Sequence, residues 1–163
     1  MHLVEANWAR MRHPRQDPRM AGFFDGLDRI NALADASEGF VWRMQDDYGN
    51  ATSIRAFDDL DVIFNLSVWK DLPSLFRYLY RTDHADFFRR RGDWFVPPDR
   101  SPLVLWWVPV GTIPTVEDAV VKLERLWADG PAPDAFDFKR AYDAAGAPLP
   151  DDWRRELARI EHG

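Results

Sequence analysis

The 163-residue chain contains no cysteine, which removes disulfides, thiol nucleophiles and thiolate metal sites together. Long hydrophobic runs are missing as well. The longest, Leu103 to Val110 and Val62 to Leu66, are strand-sized and too short to span a bilayer. No positively charged stretch followed by an apolar one resembles a secretory leader, so a cytoplasmic location without a membrane partner is expected. Positive charge is in deficit, with 21 Lys and Arg against 27 Asp and Glu and a net charge of −6. A nucleic-acid partner needs excess positive potential, and none is expected here. The run Arg89-Arg90-Arg91 is flanked by Asp86 and Asp93 and reads as a solvated helix face. His2, His13 and His162 form no spaced cluster with carboxylates, so neither a metal site nor a cofactor is expected. Gly22 and Gly26 lie inside a helical pattern rather than in a phosphate loop, and neither GxSxG nor HExxH occurs. The pairs Asp46-Asp47 and Asp58-Asp59 fall at turns, where Asp is favoured for backbone reasons.

Aromatic residues are abundant instead. Eight Trp and 11 Phe exceed the needs of a small core, and rings of this size serve cores, interfaces and pockets for apolar ligands alike. The apolar content suffices for one core, predicted over residues 1–130, with residues 131–163 forming an arm and short helix packed on the domain or on a dimer partner. Leu3 to Met11 reads as a first strand. Pro18 opens a helix whose Phe23, Phe24, Leu27, Ile30 and Ala34 recur at helical spacing up to Gly39. Phe40 to Gln45 alternates as a strand, Asp46 to Asn50 supplies turn chemistry, and Thr52 to Phe57 extends that strand or forms a small second one. Val62 to Trp69 is a strand, and Asp71 caps a helix with the stripe Leu72, Leu75, Phe76 and Leu79. Thr82 restarts it, placing His84, Phe87 and Phe88 on one face. Leu103 to Val108 is a buried strand, and Thr115 with Asp118 forms a capping box before the stripe Val116, Val120, Leu123 and Trp127. The segment Pro131 to Pro150 reads as an extended arm, and Trp153 to Ile160 as a short amphipathic helix. The order is βαββαβ plus an extra C-terminal helix, an α+β, ferredoxin-like antiparallel sheet.

Strand alternation sorts the side chains by face. Val62, Phe64, Leu66 and Val68 are all apolar and are expected beneath the two helices. Ile63, Asn65, Ser67 and Trp69 form a mixed face that suits a lined cleft. Leu3, Glu5 and Asn7 share one face of the first strand, and Arg43 and Gln45 lie opposite Phe40, Trp42 and Met44. Trp106 and Trp107 point to opposite sides, so one of them reaches the mixed face. That face either packs on a second subunit, with Asn65 and Ser67 tied up in hydrogen bonds, or lines a pocket beside the interface.

The segments Ile30-Asn31-Ala32-Leu33-Ala34, Gly39-Phe40-Val41-Trp42-Arg43, Asn65-Leu66-Ser67-Val68-Trp69, His84 with Trp94-Phe95, and Leu105-Trp106-Trp107-Val108-Pro109 resemble the domain of unknown function 3291 family. The resemblance runs over about residues 2 to 140. It implies a homodimeric α/β barrel and carries no activity with it. More distantly, Glu38-Gly39-Phe40 and Trp69 followed by Asp71 are similar to the antibiotic-biosynthesis-monooxygenase-like families. Some of these oxidise polycyclic phenols with dioxygen and no cofactor. In them a strand Asn four residues before the Trp holds the substrate oxygen, which implies that role for Asn65 with Trp69. A helix Arg stabilises negative charge, with Arg89 as its loose counterpart. The haem-degrading relatives carry Trp and His where this chain has Tyr78 and Phe88, and only Asn7 agrees, which disfavours haem.

A phenolate formed by loss of a proton can itself reduce dioxygen, provided donors face the developing oxyanion and an apolar wall excludes water. Asn65 and Trp69 offer N–H donors, and Arg43 or Arg89 offers positive charge. His84 is the acid/base candidate, set against its reading as a half-buried helix residue hydrogen-bonded locally. Asn7, Arg43, Ser67 and Trp107 complete the expected ligand-binding set. The expected partner is a small aromatic or apolar molecule bound to a homodimer. A non-catalytic ligand-binding or interaction module is the alternative, and haem binding through His84 the third.

Overall fold

A computed structural model describes residues 1–46 and 56–160 of the chain. Four strands, β1 (His2–Arg10), β2 (Phe40–Arg43), β3 (Val62–Trp69) and β4 (Leu103–Val108), form one sheet in the order β2-β3-β1-β4. All three pairings are antiparallel, and the central pair sets Glu5 opposite Ser67 and Asn7 opposite Asn65. The expected α+β, ferredoxin-like topology is therefore present. The turn expected from Asp46 to Asn50 and the strand expected from Thr52 to Phe57 fall mostly outside the described residues. Phe57 itself stands in a bend rather than in a strand.

Local chemistry explains where the helices begin. Pro18 stands in a short 3-10 turn capped by Asp17, whose carboxylate accepts from the Arg19 N–H at 2.9 Å, and α1 (Ala21–Asp35) follows. Asp71 Oδ1 accepts from the Ser74 N–H at 2.9 Å and the Ser74 hydroxyl at 2.6 Å, opening α2 (Leu72–Arg81). The same Ser74 packs so tightly under Gly39 that an added Cβ there would meet its Oγ at 2.1 Å. With φ at +81°, glycine is the residue that satisfies both demands. Short helices α3 (His84–Arg89) and α4 (Arg91–Trp94) follow. Thr115 and Asp118 cap α5 (Val116–Asp129) reciprocally, at 2.9 and 3.1 Å. The last helix is α6 (Trp153–Ile160).

The two faces of the sheet are covered in the opposite sense to the one expected. Val4, Ala6, Phe64, Leu66, Val68, Val104 and Trp106 pack with Ala119, Leu123 and Leu126 of α5. On the other face Leu3, Trp69 and Leu105 pack with Ile30 and Ala34 of α1 and Leu72, Leu75, Phe76 and Tyr78 of α2. The helices α1 and α2 thus lie over the mixed face carrying Asn65, Ser67 and Trp69, and the apolar face of β3 belongs to α5. A second correction concerns β2. The register shifts between Phe40 and Trp42, a bulge that turns Phe40 to the Trp69 side, with ring centroids 5.4 Å apart. Phe40 therefore shares a face with Arg43 and not with Trp42 and Met44, which join the α5 side. Bulges reverse alternation in this way because one extra residue enters one strand.

The segment after Gly130 lies along β4. Phe136 and Leu105 exchange backbone hydrogen bonds at 2.7 and 2.9 Å, which shields an otherwise open sheet edge. Ala135, Phe136, Ala141 and Tyr142 are buried, and the Trp107 indole N–H donates to the Tyr142 carbonyl at 2.9 Å. Among the described residues no helix is long and apolar enough to cross a membrane.

Candidate functional site

The sequence places a carboxylate in the middle of an apolar strand, Leu3-Val4-Glu5-Ala6. Glu5 is only 5% exposed, and its neighbours answer it with donors. Asn7 Nδ2 donates to Oε1 at 2.6 Å and the Ser67 hydroxyl donates to Oε2 at 3.0 Å. Ser67 Oγ in turn accepts from the Trp69 indole N–H at 2.9 Å, and Asn65 Nδ2 reaches Asn7 Oδ1 at 3.4 Å. From both directions along the strands the donors converge on one buried carboxyl group. Burial raises its pKa from the usual 4.5 to about 7, against the opposing pull of the hydrogen bonds from Asn7 and Ser67. A carboxyl so placed changes charge near neutral pH, the condition a general acid or base needs.

An aromatic column rises from this network. Tyr78 of α2 stacks on Trp69, with centroids 5.0 Å apart, and also meets the His84 ring at 4.7 Å. The Tyr78 hydroxyl donates to the Ile30 carbonyl at 3.4 Å. Burial, reinforced by the charge of Glu5, holds its phenol well above the usual range, while Arg43 opposes the shift. His84 Nδ1 lies 3.3 Å from the Leu79 carbonyl, and burial lowers its pKa. Arg43, opposite Ser67 in the sheet, forms a two-pronged ion pair with Asp35 at the end of α1, at 2.8 and 3.2 Å.

Of the residues singled out from sequence, Asn7, Asn65, Ser67 and Trp69 meet in the one network, with Arg43 beside it and His84 one ring away through Tyr78. Arg89 stands elsewhere, on the outer side of α3, largely exposed and paired with Asp86. Trp107 shares the mixed face but is committed to the arm through Tyr142. Asn7, Asn65 and Ser67 are half-buried and Trp69 is 1% exposed. Two clefts on the surface, of about 440 and 500 Å³, include none of Asn7, Asn65, Ser67 and Trp69, and Trp107 lines the smaller of them. Sequence reasoning missed Glu5 and Tyr78 as members of the site. For Glu5 the signal was available, because a charged residue flanked by Leu3, Val4 and Ala6 in a strand buried on both faces must be paired or neutralised. Among the described residues no group of three or more His, Asp or Glu side chains is placed to hold a metal ion.

Comparison with known proteins adds three findings. The profile of a family described as a domain of unknown function, DUF3291, matches residues 2–151. No curated protein matches the chain. Among solved structures, a protein from Pseudomonas aeruginosa shares 15% identity over 67% of this chain and 95% of its own, with a TM-score of 0.46. A protein from Chloroflexus aurantiacus, whose name places it among the antibiotic biosynthesis monooxygenases, shares 17% identity over 70% of this chain and 98% of its own, with a TM-score of 0.43. Likeness at this level carries no inference about chemistry.

Proposed function

The chain belongs to the DUF3291 family, and from that premise we propose that it binds an aromatic or apolar small molecule against the Asn7–Asn65–Ser67 face. The sharper form of the proposal is a cofactor-independent monooxygenase. Asn65 orients a phenolic oxygen, and Glu5 behind it governs the protonation of the site. The phenolate supplies the electrons. A ring C–H carbon becomes a second carbonyl, so the phenol ends as a quinone. Its O–H and C–H bonds break, one atom of dioxygen becomes the new carbonyl oxygen, and the other leaves as water with the two hydrogens. The four electrons all come from the substrate, so no external reductant is required. The observation that carries this reading is the buried Glu5 carboxyl among donors that converge on it, a burial that raises its pKa to about 7. An acid/base group tuned by burial is what proton removal from a phenol near neutral pH calls for.

A second reading has its own support. The donors of Asn7, Ser67 and Trp69 are already engaged with one another, as expected of a network that only stabilises a non-catalytic binding or interaction module. Oxygen uptake separates the two. With a panel of polycyclic phenols, the oxygenase reading expects consumption by the wild type and a fall of about 10²-fold or more in Asn65→Ala, the scale of one lost donor to a developing oxyanion. Trp69→Phe, which frees Ser67, is expected to slow it less. If no phenol is consumed, or if both variants match the wild type, the module reading stands in its place.

The family resemblance also implies pairing of two copies, and we infer a homodimer. Light scattering on the eluting protein is expected to give twice the 19.0 kDa chain mass. A mass of one chain across micromolar concentrations would rule the dimer out.

A further inference from the structure

We propose that the cleft on the α5 side of the sheet is a binding site for an organic cation of the alkylammonium class, and that Arg100 is its built-in competitor. This site is separate from the Glu5 network, and the inference does not rest on the oxygenase reading.

The cleft, of about 500 Å³, is walled by three rings from three parts of the chain, Trp8 of β1, Phe57 of the bend before β3 and Trp127 of α5. Trp8 stands edge-on to Trp127, with centroids 6.1 Å apart and planes at 86°. Phe57 stacks on Trp127 at 6.3 Å with planes inclined by 28° and crosses Trp8 at 68°. The two indole N–H groups both donate to the Ser101 carbonyl, at 3.1 and 2.9 Å. Their polar edges are thereby satisfied, and the rings are held in fixed orientation. Ring faces carry the negative lobes of the aromatic quadrupole and attract cations. The rim adds negative charge through Asp58, Asp59 and Asp99. Arg10, the other cation at the edge, is already paired with Asp59.

The protein fills this seat itself. The Arg100 guanidinium lies 3.6 Å from the Trp127 ring centroid and 5.9 Å from Trp8. It makes no ion pair and no hydrogen bond among the described residues, so the ring faces are what hold it. Arg100 belongs to the exposed stretch Val96 to Arg100, from which its long side chain can swing out without disturbing the core. A position that holds a cation by ring faces alone, on an exchangeable side chain, fits a free cation of similar size once that side chain leaves. The occupied fraction of the seat then lowers the apparent affinity of the ligand in proportion.

The test uses the full chain, with choline as the probe and its neutral isostere 3,3-dimethyl-1-butanol as the control, read by the indole N–H resonances of Trp8 and Trp127. Choline is expected to move both resonances and to bind roughly tenfold more tightly than the isostere, the scale of a desolvated cation–π contact. Arg100→Ala is expected to tighten choline binding several-fold, and Arg100→Lys to restore affinity near that of the wild type. The exposed pair Asp58→Asn with Asp99→Asn is expected to weaken choline binding without touching a ring. Equal binding of choline and its isostere would overturn the proposal. So would unchanged or weaker choline binding in Arg100→Ala, or indole resonances that stay fixed in Arg100→Ala up to about 100 mM choline. Movement caused by phosphate but not by choline, lost in Arg100→Ala, would reassign the cleft to anions and equally refute it.

Discussion

Glu5→Gln is expected to remove a loss of stability of about 3 kcal/mol that the wild-type protein suffers as pH rises from about 4.5 to 7. The direction follows from proton counting. Between those two values the folded protein keeps the Glu5 proton while the unfolded chain releases it, so folding is favoured less as protons become scarce. Below about pH 4.5 both states are protonated, and above about pH 7 both are ionised and the penalty is constant. At ~1.4 kcal/mol for each tenfold change, the gap gives the quoted magnitude. His84 acts in the opposite direction. Its lowered pKa makes stability rise with pH up to its ordinary value, so the wild-type curve alone mixes the two. The difference between wild type and Glu5→Gln isolates the carboxyl. Gln suits the experiment because it imitates the protonated acid, accepting from Asn7 on one side and donating to Ser67 Oγ on the other. Urea melts at about pH 5 and about pH 8 decide the matter. A difference curve flat with pH would mean that Glu5 is ionised in both states and is not the titrating group of the site.

The same titration bears on the proposed chemistry. When Glu5 is ionised, the Ser67 hydroxyl points its hydrogen inward at the carboxylate. Once Glu5 is protonated, its own O–H donates to Ser67 Oγ, and the serine hydrogen is free to turn toward a ligand. In the oxygenase reading, Glu5→Gln fixes the second state permanently. It is expected to lower phenol oxidation by about 10²-fold, as loss of an acid/base group does. It is also expected to flatten the pH–rate profile around about pH 7. A variant that loses activity but keeps the wild-type profile would make Glu5 structural.

Much of this architecture was legible because it rests on short-range chemistry. β3 runs from Val62 to Trp69 and β4 from Leu103 to Val108, the spans their apolar patterns predict. The Asp71 cap and the Thr115–Asp118 box form where the residue types call for them. What escaped depends on residues far apart in sequence. Alternation correctly separates Asn65, Ser67 and Trp69 from Phe64, Leu66 and Val68, but it does not say which helices lie on which side. By hydrophobicity the all-apolar side reads as the seat for α1 and α2. In fact α5 takes it, and a mixed face can lie beneath two helices because its polar groups satisfy one another around Glu5. The Phe40 reversal was invisible because a bulge leaves no mark in the hydrophobic pattern. The meeting of Tyr78 with Trp69 likewise depends on how α2 crosses the sheet. Arg89, named only as the loose counterpart of a helix Arg in similar families, is exposed and paired locally with Asp86.

Phe136→Ala is expected to cost about 3–5 kcal/mol, the range for emptying a fully buried phenylalanine site, and to lower the melting temperature by roughly 6–20 °C for a chain of this size. The argument begins with position. Phe136 is 0% exposed and packs in one cluster with Leu3, Trp69, Leu105 and Tyr142, its ring 5.7 Å from that of Tyr142. The segment that carries it also supplies the backbone partners of Leu105 on β4 and anchors the Trp107 indole. Asp137 beside it is buried and accepts from the Lys139 N–H at 2.9 Å. Residues 131–150 therefore contribute core and edge protection together, although their Pro- and Ala-rich composition reads as a mere arm. Truncation after Gly130 is expected to be worse than the point variant, because it also exposes the β4 edge, a template for pairing with another chain. Phe88→Ala supplies the control, since Phe88 is 43% exposed and its removal is expected to stay near 0.5 kcal/mol. Thermal denaturation of the two variants side by side tests the claim. If Phe136→Ala melts within about 2 °C of Phe88→Ala, the arm is a passive tail and β4 is protected by something else.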